Sequence, residues 1–125
     1  MLRPRVIFTD PQVASVGLTR ARASEQGIDV HTVEYNTGHV AGAATLGRGV
    51  SGMSNLVIDA NRQVIVGATF VGPGIGEMLH AATIAIVGAV PLSTLWHAVP
   101  AFPTVSELWL RLLETYRDTY DVDFV

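Results

Sequence analysis

A chain of 125 residues is near the commonest single-domain size and long enough to bury one core, so a single domain over 1–125 is expected. Apolar residues make up 49% of it and charged residues 15%, against roughly 25% charged in an ordinary soluble domain, so something other than water must cover part of the surface. The net charge is −3, lysine and cysteine are absent and the eight arginines are scattered, which argues against nucleic acid and excludes disulfides, thiolate chemistry and Cys-ligated metals.

Arg3, Pro4 and Arg5 do not resemble a signal peptide, and a cytoplasmic protein, or a piece of one, is expected. Arg5-Val-Ile-Phe-Thr-Asp10 is a β-branched and aromatic run that predicts a first strand, closed at Asp10-Pro11 because proline biases its predecessor away from helix. Thr19 and Gly27 stand where an N-cap and a C′ residue would bracket a short surface helix over 20–26. Residues 29–35 alternate as a strand does, with His31 and Glu34 marking a wet face and hence a place near an edge. Gly38, Gly42, Gly47, Gly49 and Gly52 make residues 36–52 an irregular connection. The Lys-Ser/Thr of a phosphate-cradling loop is missing there, and Arg48 is the only cation.

Residues 54–59 and 63–71 flank Ala60-Asn61-Arg62, a turn of the residue types hairpins prefer. In the second of these strands Val64, Val66, Ala68 and Phe70 alternate with Ile65, Gly67, Thr69 and Val71. Neither face suits water, so the strand is expected centrally, with helices on at least one side. Gly72-Pro-Gly74-Ile-Gly76-Glu77 then opens a helix. The third glycine of a dinucleotide fingerprint would fall at Glu77, whose charge would oppose a pyrophosphate, so a plain strand-to-helix turn is expected, with Glu77 suited to the helix N-terminus.

Residues 78–90 are apolar all round, which predicts a buried helix ending at Pro91, and Ala81, Ala82, Ala85 and Gly88 would let another helix approach closely. Ala85 is expected to face the core or a dyad. His80 reads as a hydrogen-bonded interior histidine in preference to a ligand or proton carrier. Residues 91–96 predict a short turn or helix. None of the 29 positions between Glu77 and Glu107 carries a formal charge. A membrane helix needs roughly 20 unbroken apolar residues, and Pro91, Pro100 and Pro103 interrupt the tract, so a protein interface is expected there and no membrane. Thr104-Val-Ser-Glu107 has capping-box spacing. The helix it opens runs to about Tyr120, with Val105, Leu108, Trp109, Leu112, Leu113 and Tyr116 inward and Arg111, Glu114, Arg117 and Asp118 toward water. Residues 121–125 predict a frayed or extended tail.

Three stretches carry a family likeness: residues 6–19 as an opening strand and turn, Gly67-Ala-Thr-Phe-Val-Gly72 through Glu77 as a strand-to-helix passage, and Pro103-Thr-Val-Ser-Glu107. In this order they resemble the C-terminal interface (dimerisation) domain of the pyridine nucleotide-disulfide oxidoreductases, the family of lipoamide dehydrogenase, glutathione reductase and mercuric reductase, and the likeness covers nearly the whole chain. The resemblance implies an α+β fold, a mostly antiparallel sheet with helices packed on it, and an obligate homodimer. It further implies FAD- and NAD(P)-binding domains and a redox-active Cys pair upstream, so that FAD and NAD(P)H belong to a parent enzyme and none is expected on this fragment. No metal is expected either.

In the family a His-Pro-Thr-x-Ser-Glu segment reaches the partner subunit's active site, where the His carries a proton and the Glu orients it. Such a pair suits the task, because imidazole titrates near neutral pH and a carboxylate fixes its tautomer. Here the segment is Phe102-Pro-Thr-Val-Ser-Glu107, and a phenyl ring cannot move a proton. The resemblance therefore directs Phe102 and Pro103 toward the partner's flavin and leaves Glu107 as the matching catalytic position. His97, five residues earlier, is a substitute candidate for the missing base. Glu107 without an evident imidazole partner falls back on its helix-capping role. The implied function is the homodimerisation domain of an FAD-dependent NAD(P)H oxidoreductase, not catalytic by itself. The alternative is a free-standing interaction module with no redox role.

Overall fold

Five strands and four helices form among the residues that the computed structural model describes, which are 4–7, 13–37, 53–72, 75–98 and 107–124. The strands are β1 (Arg5–Ile7), β2 (Val13–Gly17), β3 (Val30–Asn36), β4 (Met53–Asp59) and β5 (Val64–Val71). The helices are α1 (Arg20–Glu25), α2 (Gly76–Val87), α3 (Leu92–Leu95) and α4 (Glu107–Tyr120). The sheet is antiparallel in the order β1-β2-β5-β4-β3, so β5 is central and β3 lies at an edge, the places expected for them. The α+β architecture expected from the sequence is the one observed.

Strand register sorts the two faces. Val16, Ala68, Leu56 and Val33 pair in one row across the sheet and are all buried, while Ser15, Thr69, Asn55 and Glu34 make the adjacent row on the opposite, polar face. The apolar face carries α2 and α4, and the core closes between them around Phe70, Ile58, Ile65, Met78, Leu112 and Tyr116. One irregularity interrupts the alternation. Ile58 pairs with Ile65 while Val57 pairs with Gly67, so Val66 is the extra residue of a bulge, and Ile65 takes the inward place that simple alternation gives to Val66. At the other flank Gly17 faces Gly67. A Cβ on Gly67 would come 1.9 Å from the Leu18 carbonyl oxygen, so only glycine lets the chain leave β2 there.

Local signals held where they were complete within a few residues. The Arg22 N–H donates to Thr19 Oγ1 (3.2 Å) at the start of α1, and Gly27 (φ 80°) ends it with the bond from Ile28 N–H to the Ala23 carbonyl (3.1 Å). In the β4–β5 turn, Asp59 Oδ1 accepts from the N–H groups of Asn61 (3.0 Å) and Arg62 (3.1 Å), and Gln63 adopts φ 55°.

Other expectations change. The first strand is described over Arg5–Ile7, and residues 8–10, to which the pattern runs, lie outside those described. Val13–Gly17 is a strand that the sequence reading passed over as turn. His31 belongs to the covered face with Val33. It stacks on Tyr120 (centroids 3.9 Å, 12°) and shares a 3.0 Å hydrogen bond with the Tyr116 hydroxyl, so only Glu34 is wet. Tyr120 also donates to the Thr32 carbonyl (3.1 Å) and accepts from its N–H (3.3 Å), which covers part of the free edge of β3. Helix α2 spans 76–87, short of the expected Val90. The tail is docked: Phe124 is buried against Trp96 (5.3 Å) and Tyr116 (6.3 Å). The glycine-rich stretch 38–52 and the Thr104 capping position lie outside the described residues.

Candidate functional site

Helix α2 has two apolar faces, and the sheet uses one. Met78, Leu79, Ala82 and Ala85 are turned into the core. His80, Ala81, Ile84 and Val87 recur at the spacing of the opposite stripe and are exposed, Ile84 by 56% and Val87 by 72%. Two sequence expectations are thereby decided. Ala85 faces the core, and His80, expected inside, stands on the outer surface. A helix apolar all round gives no phase by which to tell the sheet side from the other.

Glu107 opens α4 and is 7% exposed. Its Oε1 accepts from Arg111 Nη2 (3.2 Å), one turn on, while Arg111 Nη1 bonds Glu114 Oε1 (2.7 Å). The Arg111 guanidinium is held above its ordinary range, first by its hydrogen bond to Glu114, then by that carboxylate's charge and by Glu107. A half-exposed guanidinium is well screened, so such pairs contribute only about 0.3–0.5 kcal/mol each. Arg111 is thus a partner of Glu107 that the family expectation overlooked, although Glu107 and Arg111 stand at the favourable i,i+4 order. Beside it Trp109 packs on Phe70 (5.5 Å, 58°), its Nε1 buried with no acceptor among the described residues.

His97 is exposed just after α3, its backbone N–H bonded to the Thr94 carbonyl (3.1 Å). Phe102 and Pro103 lie outside the described residues. On the polar face of the sheet, Leu18, Arg20, Thr32, Glu34, Asn55 and Val57 line part of a depression of about 260 Å³, below the roughly 300–1,000 Å³ of ligand pockets. Among the described residues no group of three His, Cys, Asp or Glu is placed to hold a metal, and no helix is long and apolar enough to cross a membrane.

A sheet with one face closed by helices, one of which leaves an apolar stripe outward, defines an α+β domain. The family model described as the pyridine nucleotide-disulphide oxidoreductase dimerisation domain matches residues 3–112, and the chain belongs to that family. It is 33% identical over 106 residues to a dihydrolipoyl dehydrogenase from Chlamydia muridarum, covering 85% of this chain and 23% of that one. It is likewise 33% identical over 104 residues to a mercuric reductase from Staphylococcus aureus, covering 83% and 19%. Among solved structures, the HOCl-induced flavoprotein disulfide reductase RclA from Escherichia coli superposes with a TM-score of 0.83 at 23% identity, covering 90% of this chain and 26% of that one. A NAD-dependent persulfide reductase from A. fulgidus superposes with a TM-score of 0.81 at 19% identity, covering 96% and 23%. These structural likenesses carry the fold. The chain spans about a quarter or less of the length of the relatives it matches.

Proposed function

We propose that the chain is the homodimerisation domain of an FAD-dependent NAD(P)H oxidoreductase, associating with its twin through the outer face of α2. The observation that carries this is the exposure of Ile84 and Val87 opposite the core-facing stripe, in a domain of a family described by dimerisation. Obligate interfaces resemble a core cut in half, and a second copy supplies the other half of this one. In this reading FAD and NAD(P)H are held by the other domains of the parent polypeptide. Phe102 and Pro103 would offer the partner's flavin apolar contact that excludes water, with no proton to give. Glu107, committed to Arg111, helps fix the start of α4, and the parent needs another group for proton transfer, or an electron acceptor that requires none.

Sedimentation velocity tests the association. The chain is expected to run as a dimer, and Ile84→Asp as a folded monomer with an unchanged far-UV spectrum. A variant that still dimerises would remove α2 from the interface. For the parent polypeptide, a flavin absorption band in the visible is expected, and a colourless product would end the redox part of the proposal.

A further inference from the structure

We infer that protonation of His80 gates the association of two copies through α2, the pair holding at neutral pH and loosening as the solution turns acid. The inference rests on the dimer proposed above. His80, Ile84 and Val87 stand at i, i+4 and i+7 on one exposed stripe, and His80 is the single ionisable side chain between Glu77 and His97. Among the described residues, β5 and β2, on which α2 packs, contain no ionisable residue to supply a countercharge, and neither does α3. The nearest carboxylate in sequence is Glu77, three residues earlier in the same helix.

An isologous interface presents the same patch twice. Seating this stripe against its twin strips water from two imidazoles among Ile84, Val87 and Ala81. A neutral imidazole tolerates this with one hydrogen bond, whereas an imidazolium loses far more solvation. The dimer therefore binds fewer protons than two separate chains, and by linkage it weakens as pH falls through the histidine range of about 6.5. A Glu77 carboxylate brought within about 4–6 Å of the partner's imidazole would reverse the sign and tighten the dimer instead.

The experiment is sedimentation equilibrium of the chain and of His80→Gln at about pH 8 and about pH 5.5, with circular dichroism at both to follow the fold. Expected is a Kd that rises by more than about tenfold for the natural chain and by less than about threefold for His80→Gln, which lacks the two desolvated charges. A dimer that is unchanged or tighter in acid overturns the inference. So does an equal weakening in His80→Gln, which would show that His80 is not the group responsible. A folded monomer at pH 8 is a different failure, because it removes the dimer itself and the gate with it.

Discussion

Helices α2 and α4 lie on the same face of one sheet and turn opposite kinds of surface away from it. Away from the core α4 carries Arg111 and Glu114, about a third exposed, and Asp118, 70% exposed, in short-range ion pairs. From α2 come Ile84, Val87 and His80, without a formal charge. The inward faces differ in the reverse sense. That of α2 is hydrocarbon and thioether, whereas α4 buries the Tyr116 hydroxyl, bonded to His31 and to Gln63 Nε2 (3.0 Å each). Helix α4 is therefore complete within one chain, with its polar side in water and its polar core group satisfied. Helix α2 leaves an apolar stripe exposed, which the proposed second copy would cover.

The sharpest way to break this contrast is to place a charge on each side of α2 in turn. Ala85 is 2% exposed and Ile84, its neighbour, 56%. Ala85→Arg forces an unpaired cation into the core and is expected to cost more than about 4 kcal/mol, a large part of a typical domain's 5–15, so little folded protein should be recovered. Ile84→Asp, one position away, should leave the monomer's urea midpoint nearly unchanged and act on association alone. If both variants unfold the chain, or neither does, the two faces of α2 have been wrongly assigned.

How far this was legible from the residues follows the same division. Helix α4 could be read almost whole, because its inward stripe and its charges both lie within the helix itself. The edge position of β3 and the hairpin at Asp59 were readable for the same local reason. The phase of α2 was not: with apolar residues all round, its histidine could stand on either face, and it stands on the outer one. Strand β2 escaped notice because five small residues after Pro11 make a weak alternation that acquires meaning only when Ala14 meets Phe70 across the sheet. The tail misled too, since Asp121 and Asp123 advertise solvent while Phe124 reaches Trp96, far from it in sequence. The pairing of Glu107 with Arg111 emerged only with the fold.

A smaller change sharpens the inward contrast. Tyr116→Phe keeps the ring in the core but leaves His31 Nδ1 and one Gln63 amide bond without their shared hydroxyl, at an expected loss of about 1–2 kcal/mol by urea unfolding. Burial also pushes the Tyr116 phenol above its ordinary range. A folded value raised in this way stabilises the protein fully below about pH 10, and that contribution is lost as pH rises through the folded value. The variant should therefore lose part of the alkaline decline in stability. An unchanged midpoint would mean that α4 is held by packing alone, as α2 is.

The smallest expected effect separates the two helices at their C-termini. Both close with the same bond spanning five residues back into the last turn, Val90 N–H to the Ala85 carbonyl (2.9 Å) in α2 and Val122 N–H to the Arg117 carbonyl (3.1 Å) in α4. Each needs a left-handed residue to do so, and neither uses glycine: Ala89 has φ 46° and Asp121 φ 54°. That conformation costs an L-residue about 1–2 kcal/mol, less for Asp, whose short polar side chain bonds locally. Glycine removes the penalty but gives back about 0.5–1 kcal/mol in unfolded-chain entropy. Ala89→Gly should therefore stabilise the chain by about 0.5 kcal/mol and Asp121→Gly by less or not at all, read as a rise in the urea midpoint. The asymmetry belongs with the rest of α2, because Ala89 adds no polar group to the uncharged tract that the second copy is proposed to cover. Equal gains at the two sites would show that the left-handed turns are alike and that the contrast between the helices stops at their outer faces.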